Sequence, residues 1–187
     1  MRRSPKVELI DAGLLSGWLV AKRLRMAREH LSGEVLDFAC GHGQLAQLCE
    51  PARYLGYDSD SRRIDVARRH FPGYRFETTL PVGTRFDTVV ALAFIEHVQP
   101  EAYLKQFADL LKPNGRIVLT TPHPSYEWIH TAGARLHIFS PEAHDEHEGL
   151  ISRARMAELT ALLDLRLVTA QRFLLGANQL FVLDRAA

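Results

Sequence analysis

The residues able to do chemistry in this chain fall in a few short phrases. Asp37 precedes a small-residue stretch in Val35-Leu36-Asp37-Phe38-Ala39-Cys40-Gly41-His42-Gly43, and a second acid, Asp58, closes Arg53-Tyr54-Leu55-Gly56-Tyr57-Asp58. Glu96-His97 follows an apolar run, and His144-Asp145-Glu146-His147 sits in a histidine-rich stretch. A carboxylate at a strand end accepts two neighbouring hydroxyls, and a histidine exchanges protons near neutral pH. Two histidines with a carboxylate form a donor set for a divalent ion. Gly41 and Gly43 behind an acidic strand end read as a tight turn whose backbone a ligand can approach. If a helix starts there, its first amides are unpaired, so the loop reads as the binding loop for a nucleotide-like group.

These phrases need elements to hold them. Leu14 to Leu31 reads as an amphipathic helix, with Leu15, Leu19, Met26 and Leu31 apolar and the basic run Lys22, Arg23, Arg25 and Arg28 as its solvated face. The stretch Val35 to Phe38 is a strand, and Gln44 to Cys49 is apolar-periodic and reads as the helix after the loop. A second strand ends at Asp58. Asp58 or Ser59 then caps a helix through Ile64, Ala67 and Phe71, which Pro72-Gly73 stops. Tyr74 to Glu77 alternates as a third strand, and too little chain follows it for a full crossover helix. Asp87 to Leu92 is continuously apolar, as for a central strand buried on both faces. A helix over Pro100 to Leu111, stopped by Lys112-Pro113-Asn114-Gly115, precedes a fifth strand at Arg116 to Thr121. Ser152 to Leu163 returns to helical periodicity, and Leu165 to Phe173 with Gln179 to Asp184 form a terminal strand pair joined through Gly176. The fold class is therefore α/β, a doubly wound, mostly parallel sheet with a hairpin at its C-terminal edge.

Composition bounds the possibilities. The 187 residues fit one domain, with ordinary apolar (47%) and charged (24%) fractions that exclude disordered and fibrous classes. A net charge of +1 gives no long-range field for a polyanion, which disfavours nucleic acid as a partner. Cys40 and Cys49 have neither metal nor redox spacing and point weakly to a reducing compartment. The apolar run Leu14 to Ala21 is too short to span a membrane and has the wrong flanking charges for a signal peptide. A cytoplasmic protein is expected. Residues 122 to 149 lack a period, carry Pro122, Pro124 and Pro141, and hold five of the nine histidines. With Tyr126, Trp128, His130 and Phe139, this stretch is expected to act as an acceptor-side loop. The sevenfold spacing of His123, His130, His137 and His144 is coincidental, because the prolines break any helix through it.

Two Rossmann-like readings compete for the glycine loop. Gly41-x-Gly43-x-x-Ala46, with Asp58 roughly 20 residues past the first strand, formally satisfies a dinucleotide fingerprint. The ordered set as a whole resembles the class I S-adenosylmethionine-dependent methyltransferases. It comprises Asp37-Phe38-Ala39-Cys40-Gly41-His42-Gly43, Tyr57-Asp58, Phe86-Asp87-Thr88-Val89-Val90, Ile95-Glu96-His97-Val98 and Leu111-Lys112-Pro113-Asn114-Gly115-Arg116, and the resemblance spans about residues 33 to 184. It implies a Rossmann-like seven-stranded sheet with an antiparallel last strand. Residues 34–121 would be the cofactor core of a single domain, 1–33 a helical extension, 122–151 the acceptor side and 152–187 the closing helix and hairpin. One departure is Ala39, where the family commonly has glycine, a poor exchange if that position needs positive φ.

The resemblance also implies roles. Asp58 would hold the ribose, the loop backbone through Ala39 and Gly41 the methionine portion, with Gly43 a further cofactor-binding residue, and Asp37 the ammonium, directly or through water. Ser59 and Thr78 would border the adenine, and Leu92 would complete the cofactor contacts. His97 is the candidate catalytic base, with His147 as a second catalytic candidate. Glu96, His97 and His147 also match part of the metal-binding set of a branch that methylates the 2′-hydroxyl of RNA ends, with Ala93 where that branch has a further glutamate. The expected function is S-adenosylmethionine-dependent methyl transfer to oxygen or nitrogen of a small-molecule or glycan-like acceptor, with a divalent metal as an option. Metal-assisted RNA methylation, a nicotinamide-dependent oxidoreductase and a non-catalytic cofactor-binding module are the alternatives.

Overall fold

The computed structural model describes residues 14–126 and 150–185. Its strands are β1 (Val35–Phe38), β2 (Tyr54–Tyr57), β3 (Arg75–Glu77), β4 (Phe86–Leu92), β5 (Leu111–Pro122), β6 (Leu165–Phe173) and β7 (Asn178–Arg185). Its α-helices are α1 (Leu14–Arg28), α2 (Ser61–His70), α3 (Pro100–Asp109) and α4 (Arg153–Leu162). The sheet order is β3-β2-β1-β4-β5-β7-β6, with β1 to β5 mutually parallel and β7 antiparallel between β5 and β6. This is the expected Rossmann-like architecture. The strand order reverses between β1 and β4, and in open α/β sheets a ligand crevice lies outside the strand ends at such a point.

Apolar side chains cover both faces of the sheet. On one face Leu36, Phe38, Val89, Ala91, Ile117 and Leu119 pack with Leu104 and Phe107 of α3 and Met156 and Leu159 of α4. On the other, Val35, Val90, Val118, Leu180 and Val182 pack with Leu24 and Ala27 of α1 and Ile64 and Ala67 of α2. The residues of α1 that pack against the sheet are Val20, Leu24, Met26 and Ala27, with Leu31 just beyond the helix, so Met26 and Leu31 of the expected apolar stripe are among those that meet it. Arg23 is half-buried while Arg25 and Arg28 are exposed.

The segment after the glycine loop departs from expectation. Gln44–Leu48 is a five-residue 3-10 turn, with no α-helix there. The span between Gly43 and Pro51 is too short to nucleate a stable helix, and Glu50 is held extended before Pro51. The cap of α2 is also displaced. Asp60 accepts from the Arg62 amide at 2.9 Å, so neither Asp58 nor Ser59 caps α2. β5 begins at Leu111, earlier than expected, with an irregular register opposite Phe86–Thr88. No helix forms between β3 and β4, as the short spacing requires. The acceptor-side stretch beyond Tyr126, with His130, His137, His144 and His147, lies outside the described residues.

The loop after β1 depends on left-handed backbone at Ala39 (φ 56), Gly41 (φ 54) and Gly43 (φ 77). A Cβ on Gly43 would stand 2.5 Å from the Phe76 ring, whereas one on Gly41 would meet nothing within 4 Å. Gly41→Ala therefore costs only the backbone strain, about 1–2 kcal/mol. Gly43→Ala adds overpacking of about 1–3 kcal/mol on top of that strain. Ala39→Gly releases left-handed strain against a smaller entropic loss and should stabilise by up to about 1 kcal/mol. Urea unfolding of the three variants should give that order, and equal losses for the two Gly→Ala variants would refute this packing account.

Candidate functional site

The site forms where β1, β2 and β4 end. Asp58 follows β2 and is 4% exposed. Its Oδ2 accepts from the Gly41 amide at 2.9 Å and its Oδ1 from the Asp60 amide at 3.0 Å. Arg63, one turn into α2, brings Nη1 to 3.8 Å from the same Oδ2. Three further loop amides are engaged. Cys40 donates to the Tyr57 carbonyl, Gly43 to the Cys40 carbonyl and Ala46 to the Gly43 carbonyl, at 2.9–3.0 Å. Four amides of the expected array, those of Cys40, Gly41, Gly43 and Ala46, are therefore already bonded. Without an α-helix behind it, the turn pairs some of its own donors and gives that of Gly41 to Asp58.

Asp37 lies behind this loop, 4% exposed, accepting from the Tyr54 hydroxyl at 2.8 Å. Burial pushes its carboxyl up to about 7, the Tyr54 hydrogen bond opposes that rise, and the nearby Asp58 charge adds to it. Burial, with the Asp37 and Asp58 charges, also pushes the Cys40 thiol far up, so Cys40 stays protonated and is no nucleophile.

In front of Asp58 opens a cleft of about 630 Å³. Ala39, Ser59 and His97 border it, with Phe38, Phe94 and Tyr103 as an aromatic wall. Phe38 meets Tyr57 at 4.8 Å and Phe94 at 5.2 Å between ring centroids, and Phe94 meets Tyr103 at 5.0 Å. These tilted and edge-on contacts set apolar ring surface beside a carboxylate, the lining expected for a planar heterocycle carrying hydroxyls. The missing Cβ of Gly41 leaves open space. Ala93, at the end of β4, also borders the cleft and is held at φ 53. A nucleoside with a cationic tail fits this lining.

The expected site residues thus separate. Ala39, Gly41, Asp58, Ser59 and His97 come together, with Asp37 buried beneath them. Gly43 is packed against Phe76. Thr78 is exposed and does not border the cleft, and Leu92 packs into the α1-side core. Glu96 is 2% exposed and acts electrostatically on Arg23, while its neighbour His97 is exposed on the cleft. Among the described residues no group of three histidine, cysteine or acidic side chains stands together as for a metal ion. His147 lies outside them. The aromatic wall and Arg63 were not anticipated. The signal for the wall was the i, i+4 pair Tyr103 and Phe107 on α3, facing the phenylalanines that end β1 and follow β4.

Among the described residues, no helix is long and apolar enough to cross a membrane. A family model described as a methyltransferase domain matches residues 16–170. The chain is 37% identical over 101 residues to a ubiquinone biosynthesis O-methyltransferase of Bradyrhizobium diazoefficiens, covering 46% of this chain and 39% of that protein. It is 29% identical over 158 residues to the protein of that name from Idiomarina loihiensis, covering 74% of this chain and 65% of the relative. The chain thus spans about two fifths of the length of the first of these relatives. Its fold matches magnesium protoporphyrin IX methyltransferase from Synechocystis with bound SAH (TM-score 0.67, 15% identity, 95% of this chain and 90% of that one). It also matches geranyl diphosphate C-methyltransferase from Streptomyces coelicolor (TM-score 0.67, 15% identity, 91% and 77%). With the family model covering most of the chain and the sheet order in agreement, the chain belongs to the methyltransferase-domain family and has the class I, S-adenosylmethionine-dependent methyltransferase fold.

Proposed function

We propose that the chain transfers the methyl group of S-adenosylmethionine to an oxygen of a small hydroxylated acceptor. One observation carries the choice of cofactor. The glycine loop has given four of its amides to its own turn, to β2 and to Asp58, no α-helix stands behind it, and two buried acids flank it. A dinucleotide pyrophosphate needs free amides at a helix N-terminus and would meet two carboxylates here. A cofactor carrying an ammonium and a sulfonium is favoured by the same charges. Oxygen as the methylated atom is supported by the O-methyltransferase names of the relatives.

The residues divide the work. Asp58 retains lone pairs beyond its two backbone partners and takes the ribose hydroxyls, with Arg63 yielding part of its contact. The wall of Phe38, Phe94 and Tyr103 covers the adenine. Asp37 balances the ammonium. S-Adenosylmethionine supplies an electrophilic methyl on a good leaving group, so the protein's main task is to hold donor and acceptor in line. His97 is presented on the cleft by a turn whose neighbours Ile95 and Glu96 are buried, and it removes the acceptor's hydroxyl proton. No step through a divalent ion is proposed, since Glu96 is buried and interacts electrostatically with Arg23, while His97 borders the cleft.

In a thermal-shift comparison, S-adenosylhomocysteine should raise the melting temperature and NAD should not; the reverse would overturn the reading. Asp58→Ala should weaken S-adenosylhomocysteine binding by about 1.5–3 kcal/mol, the range for hydrogen bonds to a charged group. Asp37 should make binding pH-dependent. Its carboxyl titrates near 7 in the free protein, and an approaching ammonium favours the ionised form. Binding near neutral pH should therefore release a proton, visible by calorimetry in buffers of different ionisation enthalpy. Affinity should rise from about pH 6 to about pH 8, and Asp37→Asn should abolish both effects. The same raised value means that the free protein loses stability as pH rises from about 4 to about 7, so Asp37→Asn should stabilise it on the alkaline side. Against a panel of phenolic acceptors, His97→Ala should lower turnover by about 10²-fold or more, with S-adenosylhomocysteine affinity unchanged. Unaltered turnover would remove His97 as the base.

A further inference from the structure

We propose that Tyr54 is a positioning residue of the site, its hydroxyl holding Asp37 as the carboxylate that receives the cofactor's ammonium. This role rests on the methyltransferase reading, in which Asp37 balances that ammonium. The Tyr54 hydroxyl donates to Asp37 Oδ2 at 2.8 Å, and both side chains are buried. Asp37 thus has a neutral donor, whereas Asp58 has two backbone amides and the Arg63 cation. The difference matters. An arginine or lysine beside Asp37 would cancel its charge before the ligand arrived. A phenol stabilises the carboxylate and leaves the charge for the ammonium.

Sheet geometry accounts for the choice of side chain. In the parallel register of β1 and β2, Asp37 stands opposite Gly56 and Val35 opposite Tyr54. Alternate residues share a face, so Tyr54 and Gly56 lie on the Asp37 side. Gly56 offers no donor, and a Cβ there would stand 2.4 Å from the Phe76 ring. A partner for Asp37 must therefore reach diagonally from two residues back, a span suited to a long aromatic side chain. Edge-on contacts to Tyr74 and Phe76, each at 5.6 Å, fix the Tyr54 ring, and the Tyr74 hydroxyl is itself tied to the Cys49 carbonyl at 3.1 Å.

Burial is the main cause that raises the Asp37 carboxyl to about 7; the Tyr54 bond lowers it and the Asp58 charge raises it. Of these influences the Tyr54 bond is the one that favours the ionised form. The neighbouring thiols do not help, since burial and the Asp37 charge keep Cys40 and Cys49 protonated, and Arg63 opposes this at Cys40. Burial, then the Asp37 charge, raises the Tyr54 phenol well above its ordinary value, and burial raises that of Tyr74, so Tyr54 stays a donor at every working pH. Removing its hydroxyl would raise the Asp37 carboxyl further and shift ammonium binding to higher pH.

The test is calorimetry of S-adenosylhomocysteine binding to the full chain from about pH 6 to about pH 8.5, in buffers of different ionisation enthalpy. Wild type, Tyr54→Phe, Asp37→Asn and the double variant would be compared, with circular dichroism confirming folding. Tyr54→Phe should move the rise of affinity upward by about one pH unit or more, the scale of one hydrogen bond to a charged group. At about pH 7 it should weaken binding about fivefold or more and raise the protons released per ligand from about a half towards one, and near pH 8.5 the loss should shrink to about twofold or less. In the Asp37→Asn background Tyr54→Phe should add no more than about a twofold change. 5′-Methylthioadenosine, which lacks the amino-acid end, should bind all four proteins alike. A fluorinated tyrosine at position 54 alone is a stronger donor and should move the rise to lower pH; it carries the test if Tyr54→Phe misfolds. An unmoved profile, or a loss by the same factor at every pH or on both ligands, would overturn the assignment. Wild-type binding without proton release would remove Asp37 from the ammonium, and the role of Tyr54 with it. If S-adenosylhomocysteine does not bind the wild type at all, the methyltransferase reading itself fails.

Discussion

The hydrogen bond from the Gly41 amide to the Asp58 carboxylate is the contact on which the site depends. It joins the loop after β1 to the end of β2, two strands that pair in parallel register from Val35–Tyr54 to Phe38–Tyr57. A buried bond to a charged acceptor contributes about 1.5–3 kcal/mol, enough to hold a short turn in a left-handed path. That path has Ala39, Gly41 and Gly43 at positive φ, and the Phe76 ring fills the place where a Gly43 side chain would stand. Asp60 leaves Asp58 free for this bond by taking over the cap of α2. The loop is thus fixed by a carboxylate from the neighbouring strand, with only a 3-10 turn following it.

That arrangement sets the electrostatics. Asp37 and Asp58 lie on adjacent strand ends in a water-poor region, where like charges cannot both ionise without a partner. Asp58 has two backbone amides and Arg63 as partners, while burial drives Asp37 toward the neutral form. A cationic ligand reverses the penalty on Asp37. Backbone strain gathers at the same place, with Ala39 and Ala93 in left-handed conformations at the ends of β1 and β4, on either side of the point where strand order reverses. Such strain persists where surrounding packing over-determines the backbone, and it clusters at ligand sites.

Strand identity and the C-terminal hairpin were legible because the apolar runs, the proline and glycine stops and the acid-ended strands each carry a local physical cause. Val35–Phe38 and Phe86–Leu92 are buried strands, and the hairpin closes through left-handed Leu174, Leu175 and Gly176. The doubt attached to Ala39 was well placed, since its φ is positive. Three features were not legible. The segment Gln44–Leu48 has helical periodicity, but Pro51 lies too close for a helix to form. The direction of Arg23 depends on which stripe of α1 meets the sheet, and a helix with apolar residues on several sides does not fix that alone. The aromatic wall joins residues from β1, β2, α3 and the turn after β4, and only the folded chain brings them together.

On the proposed reading, the placement of His97 limits the chemistry of this scaffold. The turn Ile95–His97 follows the strained Ala93, whose amide is held by the Thr120 carbonyl at 2.8 Å, and Ile95 is fully buried beside it. The imidazole is therefore presented from a backbone fixed at both ends, next to a cleft whose wall of Phe38, Phe94 and Tyr103 is equally fixed by mutual ring contacts. Displacement at a methyl group tolerates little misalignment, so rigidity on the donor side is an advantage. It also means that the described core has little freedom to adapt to different acceptors. On the proposed reading, a change of acceptor need not disturb Asp58, the glycine loop or the aromatic wall.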